Sequence, residues 1–206
     1  YGVVPPGTGT YDSKQVKGFN FDPAKAQTYL AKAGFPKGKG FPKLTLELNS
    51  GGSRNSQVAE AIKKMIEETL GIEIELLMVP WAQHTETVET AKTDFYRLGW
   101  IADYPDAENF LNLFHSKYVP DDINQKTYIN SFRYKNKAFD MLFDNAIATV
   151  DEKERNILYA KADQQVIEDA VVLPNYYDID FRLLQPYVRD CPQNAMEQRD
   201  FSEVYF

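Results

Sequence analysis

Apolar positions in this chain alternate between two periods, and the switch between them marks out its elements. In "FNFDPAKAQTYLAKAG" (residues 19–34), Ala26, Leu30 and Ala33 recur at helical steps. Asp22 can accept the free amides of a first turn, Pro23 suits the first helical position, and Gly34 can take the left-handed conformation that ends a helix. "KLTLELN" (43–49) has alternating leucines, as a strand requires. "QVAEAIKKMIEETLG" then sets Val58, Ile62, Met65, Ile66 and Leu70 at three- and four-residue steps before a terminating Gly71. "IEIELLMV" (72–79) reads as the next strand, and strand–helix–strand order predicts a parallel pair with a right-handed crossover.

Beyond it, "WAQHTETVETAKT" predicts a shorter helix, "DFYRLGWI" a third strand, and "DAENFLNLF" a helix capped by Asp106. Residues 118–136 are polar and aperiodic, which predicts a surface loop. "KAFDMLFDNAIATV" and "DEKERNILYAKADQQVIEDA" are two amphipathic helices, and the acids opening the second suit the helix dipole. "VVLPNYYDIDFRLLQP" reads as extended chain, with a last strand expected at 204–206. No repeat, low-complexity tract or linker interrupts residues 1–206, which read as one α/β lobe.

Composition narrows the functions available. With 206 residues, 43 % apolar and 14 % aromatic, a packed core is expected. A net charge of −7 argues against nucleic acid and against electrostatic binding to an anionic membrane. The longest apolar run, "ELLMVPW", falls far short of the ~18–20 residues that span a bilayer. The opening "YGVVPPGTGTYDS" has neither a basic start nor an apolar segment, so it does not read as a signal peptide. Cys191 is the one cysteine, which excludes an intramolecular disulfide; with His84 and His115 it makes poor zinc-site material, and a structural role for all three is the expectation. No metal and no cofactor is predicted.

Three stretches carry candidate chemistry. "SGGSRNS", between a strand and a helix, could meet an anion through backbone amides, but lacks the Gly-Lys-Ser/Thr ending of a phosphate loop and the spaced glycines of a dinucleotide fingerprint. The acids Asp94, Asp103, Asp106 and Glu108 could form a metal cluster or an acid–base pair, yet Asp106 is better used as a cap, which would point Glu108 to solvent. No nucleophile elbow or calcium loop is present, so catalysis is weakly supported. In "RLGWIADYPDAENFL", Asp103 follows an expected strand end, where ligands of open α/β sheets sit. Trp100 and Tyr104 could shield it from water and strengthen its pull on an ammonium group. Arg97, inside the apolar strand, needs an anionic partner. Either Arg97 and Asp103 pair with each other, or they hold opposite ends of one zwitterion.

These segments resemble solute-binding proteins of the ABC importers that carry oligopeptides and dipeptides, a class that also has nickel and sugar receptors. The resemblance rests on "PPGTGTYD", "FDPAKAQTYLAKAGFPKG", "LTLELN…AIKKMIEETLGIEIELLMVPW", "GWIADYPDAENFLNLFHS", "YKNKAFDMLFDNAIATVDEKERNILYAKADQQVIEDAVVLP" and "RLLQPYV", nearly the full length. It implies a type II periplasmic-binding-protein-like lobe, a mixed, mainly parallel sheet flanked by helices, without catalysis. It also implies that Asp103 pairs with a peptide's α-ammonium, that Trp100 and Trp81 wall the pocket, and that Arg97 lies near the ligand's carboxylate end. Tyr104 and Asn109 are further ligand-binding candidates. Such receptors have two lobes joined by a hinge, of which this chain resembles the C-terminal one; the N-terminal lobe, leader and lipid anchor fall outside it. The tail "VRDCPQNAMEQRDF" departs from the family in lacking a glycine-rich turn. The implied partners are a peptide and a membrane-embedded ABC permease, with no nucleic acid, and the receptor is a monomer, periplasmic or anchored at the cell surface. The rival reading within the class is a sugar or metal-chelate receptor; outside it, a hydrolase using Asp103.

Overall fold

The computed structural model describes residues 1–179, 181–192 and 201–205. The chain gathers into two compact units: a sheet unit of Phe19–Gly99 and Pro120–Ser131, and a helical unit of Tyr1–Gly18, Trp100–Val119 and Phe132–Phe206.

The sheet unit opens with α1 (Pro23–Lys32), where Asp22 accepts the Lys25 N–H at 2.9 Å and Pro23 starts the helix. Strand β1 (Leu44–Asn49) is central in a sheet ordered β2-β1-β3, with β2 (Ile74–Val79) and β3 (Phe95–Tyr96) both parallel to it. Helix α2 (Ser53–Leu70) connects β1 to β2, and α3 (Trp81–Glu89) connects β2 to β3. Leu46, Leu48 and Ile74 form the core with Leu30 of α1 and Ala59 of α2. Because a central parallel strand is covered on both faces, Glu47 is as buried as its leucine neighbours, at 4 % exposure. Gly71 ends α2 in the left-handed region (φ 69°), and a Cβ there would come within 2.7 Å of the Lys37 carbonyl oxygen.

Several expectations need correction here. Met65 does not share the buried stripe of α2 but is 49 % exposed. The second strand begins at Ile74, not Ile72. The third strand is two residues rather than eight, because Leu98, Trp100 and Ile101 find no core to enter and remain exposed. The polar stretch after residue 118 is irregular but not simply a surface loop. Thr127 and Asn130 are buried, the Thr127 N–H donates to the Glu89 carbonyl at 3.0 Å, and Lys126 pairs with Glu86 and Glu89.

The helical unit contains α4 (Glu108–Leu111), α5 (Lys137–Ala148) and α6 (Glu152–Glu168). Asn136 caps α5 through the amides of Ala138 and Phe139, and Asp151 caps α6 through that of Glu154. Phe139 and Phe143 stack 6.0 Å apart in a core shared with Val4, Leu111, Phe114 and Val166. Asp163, on α6, is fully buried in that core. Its carboxylate accepts the Val3 N–H at 2.7 Å, the Val4 N–H at 3.3 Å and the Tyr11 hydroxyl at 3.0 Å, tying the first residues to α6. Gly2 leaves the room for it, since a Cβ there would collide with the carboxylate. Residues 171–179 and 181–185 belong to no helix or strand, a turn follows at 186–187, and the expected last strand is a single antiparallel bridge between Arg189 and Tyr205; Phe206 lies outside the described residues.

Burial raises the Asp163 pKa, opposed by its three hydrogen bonds. A raised folded-state pKa means that the carboxyl group stabilises the fold most below its ordinary value of 3.8 and progressively less as pH climbs through the folded value. Urea melts should therefore show the stability of the parent relative to Asp163→Asn declining as pH rises out of that range. Asp163→Ala, which strands three donors, should lose about 2–4 kcal/mol at low pH, with the deficit narrowing as pH rises in the same way.

Candidate functional site

The stretch that drew attention in the sequence is organised by one buried amide. Helix α4 is a single turn, started by the Asp106 carboxylate, which accepts the Glu108 N–H at 2.9 Å. Asp106 thus serves the helix start, but from one residue before the N-cap position, which Ala107 occupies without a capping side chain. Ala107, Phe110 and Leu111 turn into the core and carry Asn109 with them, to 6 % exposure. There its Oδ1 accepts the Trp100 indole N–H at 2.8 Å and the Asp103 N–H at 3.2 Å, while Nδ2 donates to Asp103 Oδ2 at 3.2 Å. A neutral side chain therefore holds the Trp100–Asp103 loop from beneath.

Asp103 itself is exposed, which corrects the expectation that Trp100 and Tyr104 shield it. Both rings lie open, Trp100 at 42 % and Tyr104 at 44 % exposure. Within the helical unit no Lys, Arg or His among the described residues is within ion-pair distance of Asp103. The Tyr104 hydroxyl is turned to Glu108, which is half-buried rather than solvent-directed. Burial pushes the Glu108 carboxyl up, with Lys117 drawing it down. Burial, then the charges of Asp106 and Glu108, raise the Tyr159 phenol as well. Arg155 draws the phenol down in turn.

Trp81 and Arg97 belong to the sheet unit. Trp81 opens α3, 53 % exposed, with its ring 6.0 Å from that of His84. Arg97 follows β3 directly; its N–H donates to the Glu47 carbonyl at 2.9 Å. The anionic partner expected for its guanidinium is replaced by a neutral one: Nη1 donates to Asn49 Oδ1 at 3.2 Å. Asp103 also lies well past the end of β3 rather than at it, because the strand is short.

Sequence reasoning missed the buried pair beside Arg97. His84 is fully buried; Nδ1 lies 2.8 Å from Glu47 Oε1, and Nε2 lies 2.8 Å from the Arg97 carbonyl oxygen. The remaining histidine, His115, accepts the Lys117 N–H at Nδ1 and meets Asp144 at Nε2. Arg182 donates to the Cys191 sulfur at 3.0 Å. Among the described residues no group of three or more His, Cys, Asp or Glu could hold a metal, and no helix is long and apolar enough to cross a membrane.

The sequence model of bacterial extracellular solute-binding proteins, family 5 (middle part), matches residues 1–121. The chain belongs to this family. Among curated relatives, the periplasmic oligopeptide-binding protein OppA of Escherichia coli is 30 % identical over 193 residues, covering 91 % of this chain and 33 % of that protein. Among solved structures, the murein tripeptide-binding protein MppA of Escherichia coli superposes with a TM-score of 0.73 at 25 % identity, covering 92 % of this chain and 36 % of that one. The periplasmic binding protein DppA of Helicobacter pylori, solved with the peptide STSA, gives 0.65 at 28 % identity, covering 82 % and 31 %. This chain therefore spans about a third of the length of these relatives. The fold is the α/β, type II periplasmic-binding-protein fold that the family resemblance implied, and the resemblance to peptide-type receptors holds along nearly all of this chain.

If Asn109 organises the Trp100–Asp103 loop, Asn109→Ala should destabilise the helical unit by about 1–3 kcal/mol, because the indole N–H and the Asp103 amide lose their acceptor. Trp100 emission, read in a Trp81→Phe background, should shift to the red as the ring loses its tether.

Proposed function

We propose that this chain is part of the C-terminal lobe of an extracytoplasmic receptor that delivers oligopeptides to an ABC importer, both units belonging to that lobe. The observation that carries the reading is the state of Asp103: an exposed carboxylate, one oxygen fixed by Asn109, without a cation in its unit. A charge so placed is oriented and left available, which suits recognition of a peptide's α-ammonium group. Trp100 and Tyr104 offer open aromatic faces for ligand contact beside Asp103 in the helical unit, and Trp81 is an exposed ring of the sheet unit for the same use. Arg97, whose guanidinium has a neutral oxygen as its partner within its unit, supplies the complementary charge for a carboxylate. Relatives named for binding oligopeptide, murein tripeptide and the peptide STSA favour a peptide over other solutes.

In the full-length receptor an N-terminal lobe completes the pocket, and hinge closure encloses the ligand. Contacts to the peptide main chain then give binding that tolerates varied side chains, with water filling the spaces the side chains leave. No catalytic step is required of Asp103 or its neighbours. The receptor acts as a monomer outside the cytoplasmic membrane, with a membrane-embedded permease as its partner.

Calorimetry on the full-length receptor with trialanine and its N-acetyl derivative tests the ammonium contact. Loss of one charge-assisted contact costs about 1.5–3 kcal/mol, so Asp103→Asn should weaken trialanine by about 10- to 100-fold. The acetylated peptide should bind weakly to both proteins and respond little to the substitution. Equal affinity for the two peptides in the parent protein would remove Asp103 from that role.

A further inference from the structure

Three hydrogen bonds close a ring through Glu47, His84 and Arg97. The Arg97 N–H donates to the Glu47 main-chain oxygen at 2.9 Å. The Glu47 side-chain oxygen meets His84 Nδ1 at 2.8 Å, and His84 Nε2 meets the Arg97 main-chain oxygen at 2.8 Å. Both side chains are buried, His84 at 0 % and Glu47 at 5 % exposure. The ring sits where the β1–β3 ladder stops, since Glu47 opposite Tyr96 is the last paired position. Beyond it the imidazole supplies the donor that a continuing strand would have offered to Arg97.

The geometry also fixes where hydrogens lie. A main-chain oxygen only accepts, so Nε2 must carry one. Nδ1 faces a carboxylate oxygen, and that contact needs one further proton on either atom. Thr87 reaches the same carboxylate oxygen through its hydroxyl group. Both ring nitrogens are thereby satisfied, as burial requires, and the network starts and ends on the Arg97 main chain. The Arg97 side chain, by contrast, is lightly held: Nη1 meets Asn49, and Nη2 passes so near Gly99 that a Cβ there would be 3.2 Å away. The main chain consequently fixes the point from which the side chain departs, and the Asn49 contact steers its end.

We infer that Glu47 and His84 are positioning residues for Arg97, fixing the main chain from which its guanidinium reaches a ligand's carboxylate group. This rests on the reading of Arg97 as a ligand contact given above. The binding energy of a charge-assisted contact depends on geometry, and a side chain attached to a locked backbone loses less freedom on binding. The ring supplies that locking at the one place where the sheet no longer does.

Two substitutions of similar size separate the two nitrogens. His84→Gln keeps an N–H near the Nε2 position and so keeps the bond to Arg97; His84→Asn keeps one near Nδ1 and reaches only Glu47. Both remain polar beside the buried carboxylate, and thermal melts check that both fold. With trialanine and the full-length receptor, His84→Asn should weaken affinity about 10-fold and His84→Gln no more than about 3-fold, the difference amounting to loss of one oriented contact. In an Arg97→Ala background the two should become equal. Equal affinities without that background, or a difference that survives it, would overturn the positioning role. Arg97→Ala with unchanged trialanine affinity would instead overturn the ligand role of Arg97, and the inference with it, while leaving the Asp103 contact standing.

Discussion

A buried polar group must find a partner, and in this chain that constraint decides which charges remain available at the surface. Asn109 is drawn into the helical core by Ala107, Phe110 and Leu111, and once there its oxygen and amide hydrogens must be bonded. The groups within reach are the Trp100 indole, the Asp103 amide and the Asp103 carboxylate. Satisfying the amide therefore winds the loop around it and sets one carboxylate oxygen of the exposed Asp103 in place. An aspartate or lysine at 109 would meet Asp103 with a repelling or a neutralising charge. The neutral amide orients the carboxylate without discharging it.

The same constraint explains two further buried polar side chains that have no obvious place in an apolar core. Asp163 takes up the amides of Val3 and Val4, which lie outside any helix or strand and would otherwise be unpaired. His84 does the complementary service for the Arg97 carbonyl past the last rung of β3. In each case the side chain replaces a secondary-structure bond where regular structure ends. Buried ionisable groups usually weaken a fold unless fully bonded, so their presence at main-chain ends marks positions where the chain path could not be held by a ladder or a helix.

Local signals in the sequence were reliable where a single element explained them. The Asp22–Pro23 start and Gly71 stop, the β1-α2-β2 order and the acids that open α6 all depend on neighbours a few residues apart. Lengths and faces were less legible. "DFYRLGWI" alternates well enough for a long strand, but only Leu46 and Glu47 on β1 offer it a partner, and no sequence pattern states how far a neighbour extends. The alternating leucines of β1 carried no sign that Glu47 between them is buried; the cover supplied by α3 on the opposite face is a tertiary fact. For the candidate site, the cluster around Asp103 was visible from spacing and family resemblance, whereas its exposure and the supporting part played by Asn109 were not. Arg97 was expected to need an acid, and an amide oxygen suffices, because a half-exposed guanidinium remains partly solvated.

On the proposed reading, the exposure of Asp103 and the light hold on Arg97 are consequences of the same design rather than defects. An open carboxylate keeps its hydration while no ligand is present, so it imposes little cost on the empty protein; its interaction with an ammonium group strengthens only when closure removes water and lowers the local dielectric constant. A charge already buried beside an internal cation would have spent that attraction on the fold. What the protein must fix beforehand is direction, and it does so with neutral or internally balanced groups: Asn109 beneath the acid, and the Glu47–His84 pair behind the base. Orientation is thereby separated from neutralisation, which leaves both charges to be met by whatever solute carries their complements.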